Sequence, residues 1–206
     1  MSTILNYIPK NAEVGVGLAL LDQNQEFIFF LPGRHRLGSA EIFYAGIGGH
    51  LEKDEDLLTC GRREAREEIG VEILYEDSFF EPVYIPVNRN IRTIEIKDDI
   101  KPVGIFEMTH PEGSPRAGNV YHIVIFQARL RSFIRDIKLD GVSGIITMSK
   151  DQVKKGISRK VTIQKLMDEG SRLFLPEDTI IDREISVYPI GTAEASIMSK
   201  QTQRRR

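Results

Sequence analysis

The sequence predicts an α/β fold, a sandwich of helices around a mixed β-sheet, and three observations predict it. Short β-prone runs recur along the chain, a charged helical segment follows a pair of glycines in the first third, and a second helical pattern of apolar residues stands near the C-terminus. Strand-type and helix-type periodicity alternating along one chain is the pattern of layered α/β architecture.

Residues 14–21 and 25–31 are the first β-prone runs, and Asp22-Gln23-Asn24 between them is the polar kind of connection that closes a hairpin. A Gly- and Arg-rich loop follows over residues 32–39. Residues 44–49 then lead through glycines to Asp54, read as the N-cap of a helix running from about residue 55 to residue 69. Gly70 suits the C-terminal cap of that helix, and the β-branched Val71 and Ile73 open another strand. Further strands are expected over residues 91–96, 103–108 and 120–128. The last is apolar at nearly every position, which marks a strand central in its sheet. Ile163, Leu166, Met167, Gly170, Leu173 and Phe174 recur at helical spacing and predict a second amphipathic helix, stopped by Pro176. The sandwich therefore reads as complete by Phe174. Residues 1–176 make the expected domain, and residues 177–206, which end in Arg204-Arg205-Arg206, make a weakly patterned C-terminal extension expected to be partly mobile.

The composition excludes several classes. A chain of 206 residues with 41% hydrophobic and 28% charged residues folds as one domain with a tail rather than staying disordered or forming repeats. Its 28 Lys and Arg against 30 Asp and Glu leave a net charge of −2, so no whole-protein basic field gathers nucleic acid and any polyanion affinity is local. The single cysteine, Cys60, forms no internal disulfide, which fits a reducing compartment; a cytoplasmic location is expected. The apolar stretches fall far short of the ~20 residues a membrane-spanning helix needs, and the first residues lack an export-signal pattern, so no membrane association is expected.

The acidic helix carries the chemistry. At ~100° per residue, Glu64, Glu67 and Glu68 fall within one arc, beside a stripe of Leu58, Gly61, Ala65 and Ile69 suited to packing on a sheet. Glu64, Glu68 and Glu72 follow at four-residue spacing, where like charges repel by a few tenths of a kcal/mol each. A hard cation such as Mg²⁺, which takes oxygen ligands and shares them with substrate phosphates, would relieve that repulsion. Spacing alone leaves this open: a solvated acidic face is the commoner use of such a run.

Residues 49–71 read GHLEKDEDLLTCGRREAREEIGV, and this segment resembles the Nudix box: Gly, five residues, Glu, seven residues, Arg-Glu, an aliphatic residue, one residue, Glu-Glu, one residue, Gly, an aliphatic residue. Gly49, Glu55, Arg63, Glu64, Glu67, Glu68 and Gly70 all stand in register, with Ala65 and Val71 at the apolar positions. Asp54 replaces a glycine often found before the first glutamate. The resemblance covers about a ninth of the chain, and the flanking elements are similar to the family's α/β/α sandwich.

What the resemblance implies is a hydrolase of a phosphoanhydride bond in a nucleoside diphosphate linked to another group, with Mg²⁺ as cofactor and Mn²⁺ as a substitute. Glu64, Glu67 and Glu68 would hold the metal together with the backbone carbonyl of Gly48, and one of them, Glu64 or Glu68, would take a proton from the attacking water. Some relatives take that base from a loop outside the box, a position for which Glu107 and Asp140 are candidates. Arg63 would pair with Glu55 as structural support; a phosphate clamp is the alternative. Arg34, His35 and Arg36 stand before the box as candidates for substrate contact, though a solvated basic loop is the commoner reading. His50 is expected to support its loop, His122 to be a satisfied interior residue, and His110 and Cys60 to have no metal or nucleophile role.

Two other functions compete. A Nudix-like module can sense nucleotides or associate with RNA without catalysis, but loss of box glutamates is the usual sign of that, and here all are present. Isopentenyl diphosphate isomerases resemble the family in fold and rely on an active-site cysteine; Cys60, inside the box helix, is badly placed for it. For substrate, relatives that cleave ADP-ribose often carry a proline about sixteen residues past the box, and Pro86 follows Val71 by fifteen, which favours a nucleotide sugar. Noncanonical nucleoside triphosphates, dinucleoside polyphosphates and capped RNA stay open, as does a homodimer.

Overall fold

A computed structural model describes residues 3–33, 41–78, 81–110, 112–113, 115–139, 141–155 and 161–201. Strands β1 (Glu13–Leu21) and β2 (Phe27–Leu31) form the expected hairpin. Its turn is fastened by Asp22, whose Oδ1 accepts the backbone N–H groups of Asn24 at 2.8 Å and Glu26 at 3.0 Å. Next come β3 (Glu41–Tyr44) and β4 (Ile47–His50), in a stretch the sequence analysis treats only as a glycine-rich lead into the helix. Helix α1 (Leu57–Ile69) ends, as predicted, at Gly70 with φ 65°. Its N-cap is Asp56, not Asp54. Asp56 Oδ1 accepts the Thr59 N–H at 2.9 Å, whereas Asp54 sits in the preceding turn with φ 65°.

Strands β5 (Ile73–Glu76), β6 (Val83–Ile85), β7 (Arg92–Thr93), β8 (Gly104–Thr109) and β9 (Val120–Leu130) follow. The strand expected over residues 91–96 shrinks to β7 because the chain leaves the sheet edge after Thr93. Ile94 and Ile96 turn into the core, and the Tyr7 hydroxyl donates to Glu95 O at 2.9 Å. The chain continues through β10 (Gly144–Met148), α2 (Lys150–Lys155), β11 (Val161–Thr162), α3 (Ile163–Asp168), β12 (Leu173–Phe174), β13 (Ser186–Pro189) and α4 (Gly191–Gln201).

The large sheet runs β12-β10-β2-β1-β9-β8-β6-β7, with β4 added to β1 and β5 to β9. It is mixed, since β1 pairs parallel with β9 and β6 with β8 while the other ladders are antiparallel. As the apolar run predicts, β9 is central, flanked by β1 and β8. A small sheet, β11-β13-β3, stands beside it. Alternation along β1 feeds two cores. Val16, Leu18 and Leu20 pack with Cys60, Ala65 and Ile69 of α1, while Ala19 and Leu21 pack on the opposite face with residues of α2, α3, β13 and α4. This is the expected α/β/α sandwich on a mixed sheet.

Two expectations about the C-terminal part are corrected. The helix predicted over residues 163–174 stops at Asp168: Gly170 takes φ 104°, and Leu173 and Phe174 pair with Ile146 and Ile145 of β10 as a strand. Nor is the sandwich complete at Phe174. Ile181, Ile185, Val187, Ala193 and Ala195 are all buried, β13 pairs with β3, and α4 supplies the helix layer expected from residues 163–174. Amphipathic periodicity found apolar faces but not the sheet edge that claimed them. Arg204, Arg205 and Arg206 lie outside the described residues, and among the described residues no helix is long and apolar enough to cross a membrane.

Candidate active site

The site grows from the β4–α1 junction. Gly48 of β4 lies opposite Gly17 of β1, and a β-carbon on Gly48 would fall 2.0 Å from Val16 O. At Gly49 a β-carbon would meet the Glu64 carboxylate at 2.1 Å. Glycine is thus needed twice, once for strand contact and once to let a helix carboxylate close on the strand. Gly61 does the same beneath the helix, where a β-carbon would meet the Tyr75 hydroxyl at 2.2 Å and Leu18 and Val16 at 3.2 Å. The small-residue stripe read from the sequence is this contact.

Arg63 organises the carboxylates. Its Nε and Nη2 donate to the two oxygens of Glu55, each at 3.1 Å, and Nη2 also donates to His50 O at 3.0 Å. Nη1 donates to Glu64 Oε1 at 2.6 Å and Glu67 Oε2 at 3.1 Å. The bidentate pairing holds Glu55 well below the usual carboxylate range, despite the opposing effect of burial. One guanidinium therefore ties strand β4 to three of the box glutamates, Glu55 in the loop and Glu64 and Glu67 on the helix.

Glu68 accepts the Gly48 N–H at 3.2 Å. Its side chain reaches solvent, yet the protein packed around the carboxyl pushes it above its ordinary range. The Gly48 N–H opposes this, and the negative charges of Glu64 and Glu67 add to it. The series of three four-residue neighbours is shorter than the spacing suggested. Beyond the cap Gly70 the chain leaves the helix, and Glu72 pairs with Arg66 at 2.5 Å and 3.2 Å, which depresses its carboxyl. The excess negative charge is confined to Glu64, Glu67 and Glu68.

A cavity of about 420 Å³ opens beside Glu67 and Glu68. Its other walls include Phe30, Leu31, Phe43 and Gly46, so two carboxylates face an apolar, partly aromatic recess. Arg34, His35 and Arg36 lie outside the described residues, as does Asp140, although its neighbours Gly141 and Val142 line the same cavity. Glu107 is engaged elsewhere. On β8 it accepts the Tyr84 hydroxyl and, at 2.9 Å, the Val87 N–H. Burial pushes its carboxyl up, but these bonds and the neighbouring His122 outweigh it and hold the group below the usual range. Cys60 is fully buried on the inner face of α1, and burial beside the Glu55 carboxylate pushes its thiol up to about 12, an environment that disfavours a thiolate.

The family model of the NUDIX domain matches residues 12–129. The chain belongs to the Nudix family. Membership makes it a Nudix-type pyrophosphohydrolase acting on an acid anhydride, and Nudix hydrolases use a divalent metal. No curated protein matches the chain by sequence. Among solved structures it is similar to a NUDIX hydrolase from Nitrosomonas europaea, with 21% identity, TM-score 0.45, and 70% of this chain and 77% of that one covered. A NUDIX-family hydrolase from Clostridium perfringens gives 15% identity and TM-score 0.43 over 77% of this chain and 93% of that one. An Ap4A hydrolase from C. elegans gives 12% identity and TM-score 0.35 over 62% and 74%.

Residues other than the box glutamates also form clusters that spacing did not reveal. His122 is buried, with Nε2 3.5 Å from Glu107 Oε1 and neither ring nitrogen in a hydrogen bond among the described residues, contrary to the expectation of a satisfied interior residue. His50 and His110, expected to be loop support and background, meet at Glu13. Their only sequence signal is their type, because the three positions are joined by strand pairing across the sheet.

Proposed function

We propose that this Nudix protein hydrolyses a phosphoanhydride bond in a nucleoside diphosphate linked to another group, in a Mg²⁺-dependent reaction centred on Glu64, Glu67 and Glu68. The donor set fits the ion. Three carboxylates of one helix and the carbonyl of Gly48 are hard oxygen ligands, and Glu68, raised chiefly by burial and further by the charges of Glu64 and Glu67, is a carboxylate that a cation would return to its charged form. Mg²⁺ would draw charge from phosphoryl oxygens and acidify a water, and Mn²⁺ suits the same ligands. Glu64 is fixed by Arg63, so Glu68, exposed and without an arginine partner among the described contacts, is the better proton acceptor. Arg63 and Glu55 hold the β4–α1 junction rigid so that the carboxylates keep their spacing.

The single observation that carries this reading is one cavity shared by the Glu67 and Glu68 carboxylates and an apolar wall with Phe43. Such a recess suits a nucleobase or nucleoside on the wall with its diphosphate at the carboxylates. A nucleotide sugar such as ADP-ribose is the preferred substrate class, and Arg34 and Arg36 are proposed contacts to its phosphates. The test is a panel of nucleotide sugars, dinucleoside polyphosphates, noncanonical triphosphates and capped RNA, read by Mg²⁺-dependent release of phosphate or monophosphate. Cleavage of a nucleotide sugar above the rest supports the reading. A panel with no cleavage, alongside nucleotide binding, would replace it with a sensor.

A further inference from the structure

Away from the box carboxylates, a cavity of about 970 Å³ is bordered by Leu5, Ile8, Lys10, His50, His110 and Arg116. At its wall three segments distant in sequence converge. Glu13 opens β1, His50 closes β4, and His110 follows β8. The register brings them together: Gly15 pairs with His50, and Glu13 pairs with Tyr121 of β9, whose neighbour strand ends at Thr109. His50 Nε2 lies 2.6 Å from Glu13 Oε1 and His110 Nε2 lies 3.2 Å from Glu13 Oε2. One ligand atom from each residue can be chosen so that all lie within 4.8 Å of one another.

The rings are held in place. Tyr121 stacks on both imidazoles, with centroids 5.3 Å from His50 and 5.2 Å from His110, and the two imidazole planes are within 5° of parallel. Gly15 makes room for this, since a β-carbon there would stand 3.3 Å from the Tyr121 ring and 2.7 Å from Gly49 O. Two imidazole nitrogens and a carboxylate oxygen on preset rings have the chemistry and spacing of a metal centre, because tetrahedral ligands ~2.0–2.1 Å from an ion stand about 3.3 Å apart.

We infer that Glu13, His50 and His110 form a binding site for a borderline divalent ion such as Zn²⁺, distinct from the acidic set on α1 and open to the large cavity. Two imidazoles select Zn²⁺, Co²⁺ or Ni²⁺ over Mg²⁺, which prefers oxygen alone. Arg116, which also donates to Glu13, becomes the outer partner that orients the carboxylate. Three protein ligands leave a coordination position toward the cavity, where Lys10 and Arg116 favour an anionic group. Without an ion, the same residues make a charge cluster in which two histidines and an arginine share one carboxylate; the experiment separates the two.

Zn²⁺ alone is the probe, applied to the full chain by equilibrium dialysis with millimolar Mg²⁺ present to occupy the α1 carboxylates. The wild type is expected to bind one Zn²⁺ at least tenfold more tightly than His110→Ala or Glu13→Gln, while Glu67→Gln keeps the wild-type affinity. Should either variant fail to fold, the wild-type imidazole nitrogen resonances of His50 and His110 decide, since both shift when Zn²⁺ binds. Equal affinity in wild type and His110→Ala, loss of binding in Glu67→Gln, or unmoved imidazole resonances would each overturn the site. None of these readouts involves nucleotide turnover, so failure here and failure of the proposed hydrolysis are separately visible.

Discussion

Thr192, at the start of α4, stands directly over Gly17 of β1: a β-carbon on Gly17 would lie 2.2 Å from Thr192 Oγ1. The same threonine covers Gly46, where a β-carbon would lie 2.9 Å from its Cγ2. Gly46 lines the cavity beside Glu67 and Glu68, and β13 pairs with β3, the strand that carries Phe43 of the same cavity. The C-terminal segment thus backs both the sheet and the wall of that cavity.

A chain ended at Glu177 is therefore expected to lose its native fold, because it removes Ile181, Ile185, Val187, Ala193 and Ala195 from one core and exposes an edge of β3. Near-UV circular dichroism and solubility check this. A soluble truncation with a native near-UV spectrum would show that residues from 177 onward form a separable extension. The milder Gly17→Ala should fold but lose about 1–3 kcal/mol by overpacking against Thr192.

Replacing Glu67 or Glu68 with Gln should cut kcat by ~100-fold or more, equivalent to about 2.7 kcal/mol at the transition state, while leaving the far-UV spectrum unchanged. The amide keeps shape and helix propensity but not the charge a cation needs. In parallel, Mg²⁺ should stabilise the wild-type fold by mass action, by about 2.7 kcal/mol at one hundred times its dissociation constant, and so raise its melting temperature. That rise should shrink in both variants. Full turnover in both would refute the acidic set as the metal site.

Arg63→Ala should damage stability and activity together. It removes bonds to Glu55, Glu64, Glu67 and His50 O and leaves neighbouring carboxylates without their shared cation. Loss of one partner in a partly buried charged network costs roughly 2–4 kcal/mol. For a chain this size that is about 5–15 °C in melting temperature. Arg63→Lys, with one point charge in place of a planar fork, should recover only part of either quantity. An Arg63→Ala protein that melts normally yet fails to turn over would instead favour the phosphate-clamp role.

Glu107→Gln should keep Mg²⁺-dependent turnover, since the carboxylate is committed to Tyr84 and Val87. Its effect should appear in acid. The folded-state carboxyl titrates below its ordinary range, so its contribution to stability is present above that range and is lost as pH falls through the lower folded value. Urea midpoints measured from pH 6 down to pH 3 should fall more steeply in wild type than in the variant. Loss of turnover with unchanged acid stability would make Glu107 the catalytic base.

The sequence by itself determined how the α1 carboxylates are arranged. Arg63, Glu64, Glu67 and Glu68 lie within six residues of one helix, and 3.6 residues per turn is enough to put them on neighbouring faces, with Gly70 ending the helix where predicted. The hairpin of β1 and β2 and the central place of β9 were legible for the same reason, since local periodicity and a polar turn encode them. What tertiary structure decided was everything that depends on which strand edges meet. Residues 173–174 became a strand because β10 offered an edge, Val187, Ala193 and Ala195 became part of the core because β3 and the glycines of β1 left space, and Glu13, His50 and His110 met because three strands share a register. Strand pairing joins residues across any sequence separation, and no periodicity within one segment carries the identity of its partner.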